Sequence, residues 1–209
     1  MTALERIAFY LGRRDEVPNQ ELARQLVEAN DQAGVKEIAE NLWHKNVNVQ
    51  SDCIKVLYEV GYLKPEMIAD YAGEFVKLLS SKHNRLVWGA MIALSTIASL
   101  KADELYPHRD KIIKAIDKGS VITVDGGVMV LAEIASNNVA YRHEIFPYLL
   151  TILKTCRPKS VPQYAEKIAV AVASENKADF IAVLEKRLED MLPSQAARIR
   201  KVVKLVINR

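Results

Sequence analysis

Leu57, Leu94, Leu131, Ile168 and Leu205 stand 37 residues apart, five positions in succession. A period of that length restricts a chain to stacking one small unit on the next, because no single unit can bury its own apolar face. The period holds in further columns. Ile54, Met91, Val128, Ala165 and Val202 share it, as do Val60, Ile97, Ile134 and Ala171. Upstream in each unit lie Ile38, Phe75, Ile112 and Leu149, with Leu42, Leu79, Ile116 and Leu153 four residues further on. Half of all residues are hydrophobic, so a shifted register is the fair control. Stepping 38 from Leu57 meets Ser95, Glu133 and Ala171, and the apolar column collapses.

Within each unit apolar residues recur at i, i+3, i+4 and i+7, the spacing of an amphipathic helix. Each unit reads as two helices, A then B. The chain is therefore expected to be all-α, a right-handed α-solenoid of stacked antiparallel helix pairs with about twelve helices. They are placed near residues 2–12, 19–30, 33–44, 48–61, 65–80, 85–100, 108–118, 123–136, 141–155, 161–174, 177–191 and 195–207. Thr2 with Glu5 and Ser160 with Gln163 have the spacing of capping boxes. Asn84, Asn176 and Ser194 suit N-caps, and Gly12, Gly61 and Gly119 suit helix ends. Pro107 and Pro147 should break or kink their segments. Val121-Ile122-Thr123-Val124 is the only strand-like run, and its repeat offset makes it the start of a B helix. One domain spans 1–209: an atypical cap over 1–30, regular repeats over 31–192 and a C-terminal helix over 193–209.

Paired helices with these A and B columns and Asn/Asp-rich turns between them resemble the HEAT-type helical repeats, over about residues 31–209. The resemblance implies an α-solenoid that holds a partner on the concave face lined by the B helices. The 37-residue period is shorter than the usual 40–47 of HEAT and armadillo units, and a clear A-helix proline is missing. Tetratricopeptide and ankyrin signatures are absent.

Catalytic signatures are not found: there is no Walker loop, dinucleotide fingerprint, nucleophile elbow or zinc spacing. His143-Glu144 occurs once, whereas HEAT-like metal hydroxylases repeat the pair. No metal site and no cofactor are expected. The lack of an apolar run of 18 residues and of a leader leads us to expect a cytoplasmic chain with no membrane segment. Cys53 and Cys156 are expected to be reduced.

B-helix positions outside the apolar columns supply the candidate partner-binding residues: Trp88, Gly89, Asp125, Gly126, Met129 and Lys55. Two glycines at one offset in adjacent units are expected either to leave a hollow for a peptide or to let neighbouring helices approach closely. HEAT-like alkylation-repair glycosylases offer a second comparison, through Trp88 and Asp125 with Lys82 and Arg85. Charge is polarised, −3 over residues 1–52 and +6 over the remainder. Arg198, Arg200, Lys201, Lys204 and Arg209 crowd the last 16 residues without an acid. They form a candidate basic contact surface for an acidic partner or nucleic acid. Ile199, Val203, Val206 and Ile207 add to Val202 and Leu205 in the same helix, so burial by the preceding helices or by a second copy, as a homodimer, is expected. The function expected is a non-catalytic binding module or scaffold for a protein or peptide; the alternative is a nucleic-acid-binding solenoid, of the alkylation-repair kind.

Overall fold

The computed structural model describes residues 1–208; Arg209 of the basic cluster lies outside the described residues. Twelve α-helices follow in order: α1 (Val17–Glu28), α2 (Gln32–Glu40), α3 (Val47–Leu63), α4 (Ala72–Leu78), α5 (Asn84–Ile97), α6 (Ala102–Leu105), α7 (Arg109–Lys118), α8 (Val121–Asn137), α9 (Val139–Thr155), α10 (Val161–Ile168), α11 (Lys177–Arg187) and α12 (Pro193–Ile207). No strand occurs among the described residues. Val121-Ile122-Thr123-Val124 opens α8, as its repeat offset requires. Two compact units divide the chain, Met1–Gly127 and Val128 onward.

In the first unit α3 packs between α1 and α5, a layer of B helices, while α2 and α4 cover α3 and α5 from the A side. In the second unit α10 packs on α12 and α9 on α11, with α9 against α10 and α11 against α12. The apolar columns form these cores. Every member of the Ile54, Val60, Ile38 and Leu42 columns is buried, and so are Leu57, Leu94, Leu131 and Ile168.

Leu205 is the exception, 49% exposed where the column predicts burial. Helix α12 has α10 and α11 as its main neighbours and buries one stripe, Ala196, Ile199, Val202 and Val206. An internal B helix packs on both flanks, as α3 does; α12 turns Leu205 and Ile207 outward. The expected all-round apolar helix is thus covered on one side only.

The helix expected over 2–12 is reduced to one 3₁₀ turn, Leu4–Arg6. Its capping box does form, with Glu5 accepting from the Thr2 N–H and Thr2 Oγ1 accepting from the Glu5 N–H. The chain then turns extended at Ile7. Side chains from later helices take the N–H groups that would continue the helix: Asn19 accepts from Ala8 and Asp52 from Phe9, at 2.9 and 2.8 Å. Gly12 adopts φ +65°, the left-handed geometry of a chain reversal.

Other boundaries shift for local reasons. Pro107 sits in a 3₁₀ turn between α6 and α7, dividing that segment. Gly119 ends α7. Gly61 does not end α3, which continues to Leu63; it is buried where a Cβ would strike Thr96 and Ile68. Ser160 gives no capping bond to α10, its hydroxyl accepting instead from Arg157 Nε. Asn84 and Ser194 fall inside the first turns of α5 and α12 rather than at the caps. Asn176 precedes α11, but its side chain binds Ala171 O and Ala173 N–H and closes the preceding loop.

Candidate protein-binding face

Helices α3 and α5 bring three aromatic rings together. Tyr58 and Tyr62, one turn apart on α3, meet edge to face with centroids 6.0 Å apart. Tyr58 then meets Trp88 of α5 at 6.1 Å. Tyr58, in the middle, is buried, Trp88 half-buried and Tyr62 59% exposed, so the run is rooted in the core and open to solvent at its ends. Such rings offer large rigid contact area with few torsions to freeze.

Lys55 lies beneath this run, buried, with Nζ 4.7 Å from the Tyr58 ring centroid. Its ammonium meets Glu59 at 2.7 Å and Glu16 at 2.9 Å. Burial alone would lower the lysine pKa; the hydrogen bonds it donates to Glu59, Tyr58 and Glu16 outweigh that and hold the group above its ordinary range. Glu16 also accepts from Arg85, at 2.9 Å. Lys55 is therefore the buried hub of an ion cluster that ties the start of α1 to α3 and α5, and not a surface contact. Partial burial raises the Tyr62 phenol, with the negative charges of Glu59 and Asp125 adding to the shift. Asp125, half-buried in the first turns of α8, thus belongs to the same electrostatic environment.

The glycines do not open a hollow. A Cβ at Gly89 would lie 3.0 Å from both Ile54 branches, and one at Gly126 3.0 Å from Met91 Cγ and 3.2 Å from the Met91 carbonyl oxygen. Both are buried and let neighbouring B helices approach, the second of the two expectations. Met129 is half-buried in the second unit. Of the glycosylase-like set, Arg85 is engaged by Glu16 and Lys82 is exposed. Sequence reasoning misses Tyr58, Tyr62 and Glu16; the i, i+4 tyrosines on a B helix are the signal that could find two of them.

On α12, Arg198 clamps Glu166 fork to fork, at 2.8 and 2.6 Å, which holds that carboxyl below its usual range. Arg200, Lys201 and Lys204 are exposed. Among the described residues no group of three or more His, Cys, Asp or Glu is placed to hold a metal ion, and no helix is long and apolar enough to cross a membrane.

No family model matches the chain, and no curated protein matches it. Solved structures do. A designed armadillo repeat protein in complex with the peptide (KR)4 is similar with a TM-score of 0.70 at 18% identity, over 90% of this chain and 86% of that one. An engineered protein from a structural genomics consortium has a TM-score of 0.67 at 18% identity, over 100% of this chain and 98% of that one. Kap121p bound to Pho4p has a TM-score of 0.65 at 15% identity, over 98% of this chain but 23% of that one. Likeness at such identity shows the fold: an all-α, armadillo- or HEAT-like solenoid. The expected helical-repeat class is met, and the two repeat types are not distinguished.

Proposed function

We propose that the chain is a non-catalytic HEAT-type binding solenoid that holds a protein or peptide partner on the B-helix face of its first unit. The observation that carries this reading is the run Tyr62–Tyr58–Trp88, seated on the Lys55 ion cluster. Exposed and half-exposed aromatic side chains on a rigid base are the common anchors of protein interfaces. Two similar structures, one complexed with a peptide and one with Pho4p, support a protein-binding role. Panning a displayed peptide library against the chain tests it. Retained peptides should lose at least about ten-fold in affinity with Trp88→Ala or Tyr62→Ala, the scale of one hot-spot residue. Failure to retain any peptide, or retention unaffected by both changes, overturns the assignment.

The exposed Arg200, Lys201 and Lys204 favour a second reading, nucleic-acid binding through α12. Counterion release would make that affinity fall steeply with salt, and a shallow slope rejects it. Exposure of Leu205 and Ile207 supports a homodimer through the same helix, which a monomer mass in light scattering would refute.

A further inference from the structure

The first unit holds a cleft of about 690 Å³ between the end of α4, the start of α5 and one face of α7. Its volume lies within the ~300–1,000 Å³ of small-molecule sites. Lys82, Lys111, Lys114 and Lys118 line it, with Asp110 as the only acid. Lys111, Lys114 and Lys118 are spaced i, i+3 and i+7, so they share one face of α7.

Helix stability does not favour this stripe. Like charges three and four residues apart destabilise a helix. The macrodipole favours a cation at Lys118, in the last turn, but disfavours one at Lys111, in the first. Among the described residues none of the four lysines has an ion-pair partner, while Lys55, Lys77, Arg85 and Lys101 of the same unit are all paired. The start of α5 adds to the field, since His83 provides no side-chain cap and the first-turn N–H groups carry the positive end of the helix.

We propose that this cleft binds a compact anion carrying several phosphate groups, either free or as a lipid headgroup. Lysine ammoniums act as point charges that suit clustered phosphate oxygens. Ser80, Ser81 and Asn84 add hydroxyl and amide donors. No aromatic ring lines the cleft, so it lacks the stacking platform that single-stranded nucleic acid uses.

Titration calorimetry of the whole chain with inorganic tripolyphosphate, near physiological ionic strength, tests the proposal. One site is expected, weakened at least ten-fold by Lys111→Ala with Lys114→Ala. Arg200→Ala with Lys204→Ala in α12 should leave it unchanged, and circular dichroism should show all variants folded. Vesicles with and without a phosphoinositide separate the two sources of the anion: sedimentation of the chain with the former alone points to a headgroup, and tripolyphosphate binding without sedimentation to a free anion. Absence of binding in both arms overturns the proposal. So does equal weakening by the α12 variant, which would mean unspecific charge attraction. Tighter binding of duplex DNA than of tripolyphosphate, lost in the Lys111/Lys114 variant, would replace it with a nucleic-acid surface.

Discussion

Residues four apart on a B helix can be partners or strangers, depending on what the repeat offset delivers. Glu59 has Lys55 one turn before it and is paired. Glu133 stands at the same offset two units on, where the residue one turn before is Met129. Burial alone raises the pKa of the Glu133 carboxyl. Its folded value lies above the unfolded one, so the stability linked to it is full below the ordinary glutamate pKa and falls as pH rises through the raised value. Glu133→Gln should therefore raise the melting temperature at neutral pH and have little effect below about pH 4. An equal shift at both pH values would contradict the assignment. Arg187 had no signal in the sequence, because its role depends on a distant helix end. The guanidinium donates to the carbonyls of Leu153, Lys154 and Cys156 at 2.6 to 3.0 Å and so closes the C-terminus of α9. Arg187→Ala should cost about 2–4 kcal/mol in denaturant unfolding, as three carbonyls, that of Leu153 buried, lose a charged donor. Arg187→Lys should recover little of it, since the ammonium cannot span three acceptors.

At the scale of elements, periodicity and one of the two prolines are readable; Pro147, expected to break or kink its segment, lies inside the unbroken α9. The B helices and the break at Pro107 appear where apolar spacing and the missing N–H require them. The N-terminal segment was not readable, because its helix fails for want of N–H groups claimed by Asn19 and Asp52, contacts 11 and 43 residues away in sequence. Glycines mislead in the same way. Gly61 reads as a stop, and Gly89 and Gly126 read equally as a hollow or as a close approach; each makes room for a neighbouring element, information that lies in the neighbour and not in the glycine. A comparison of two helical glycines isolates this effect. Gly126→Ala gains helix propensity of about 1 kcal/mol but presses on the Met91 backbone, which cannot move aside; a net loss of about 1–3 kcal/mol is expected. Gly73 in α4 has open space around its missing Cβ, and Gly73→Ala should stabilise by up to about 1 kcal/mol. Thermal melts moving in the same direction for both changes would show that propensity, not packing, governs these positions.

For the molecule as a whole, the 37-residue register carries the fold, and flanking helices decide how much of each column is buried. Sequence supplies the register but not the number of neighbours, so Leu205 shares a column with buried Leu94 and is still half-exposed. The candidate face is legible in part: the offset of Trp88 singles it out, while the tyrosines beside it and the inward turn of Lys55 depend on the packing of α3 on α1 and α5. The most direct test of the register is a pair of truncations in one column, Leu94→Ala and Leu205→Ala, measured by denaturant unfolding of the same chain. Leu94 is fully buried and should cost about 2–5 kcal/mol, while Leu205, half-exposed on the outer side of α12, should cost less than about 1 kcal/mol. Equal losses at the two positions, or a loss below about 1 kcal/mol at Leu94, would contradict a fold built on this repeat.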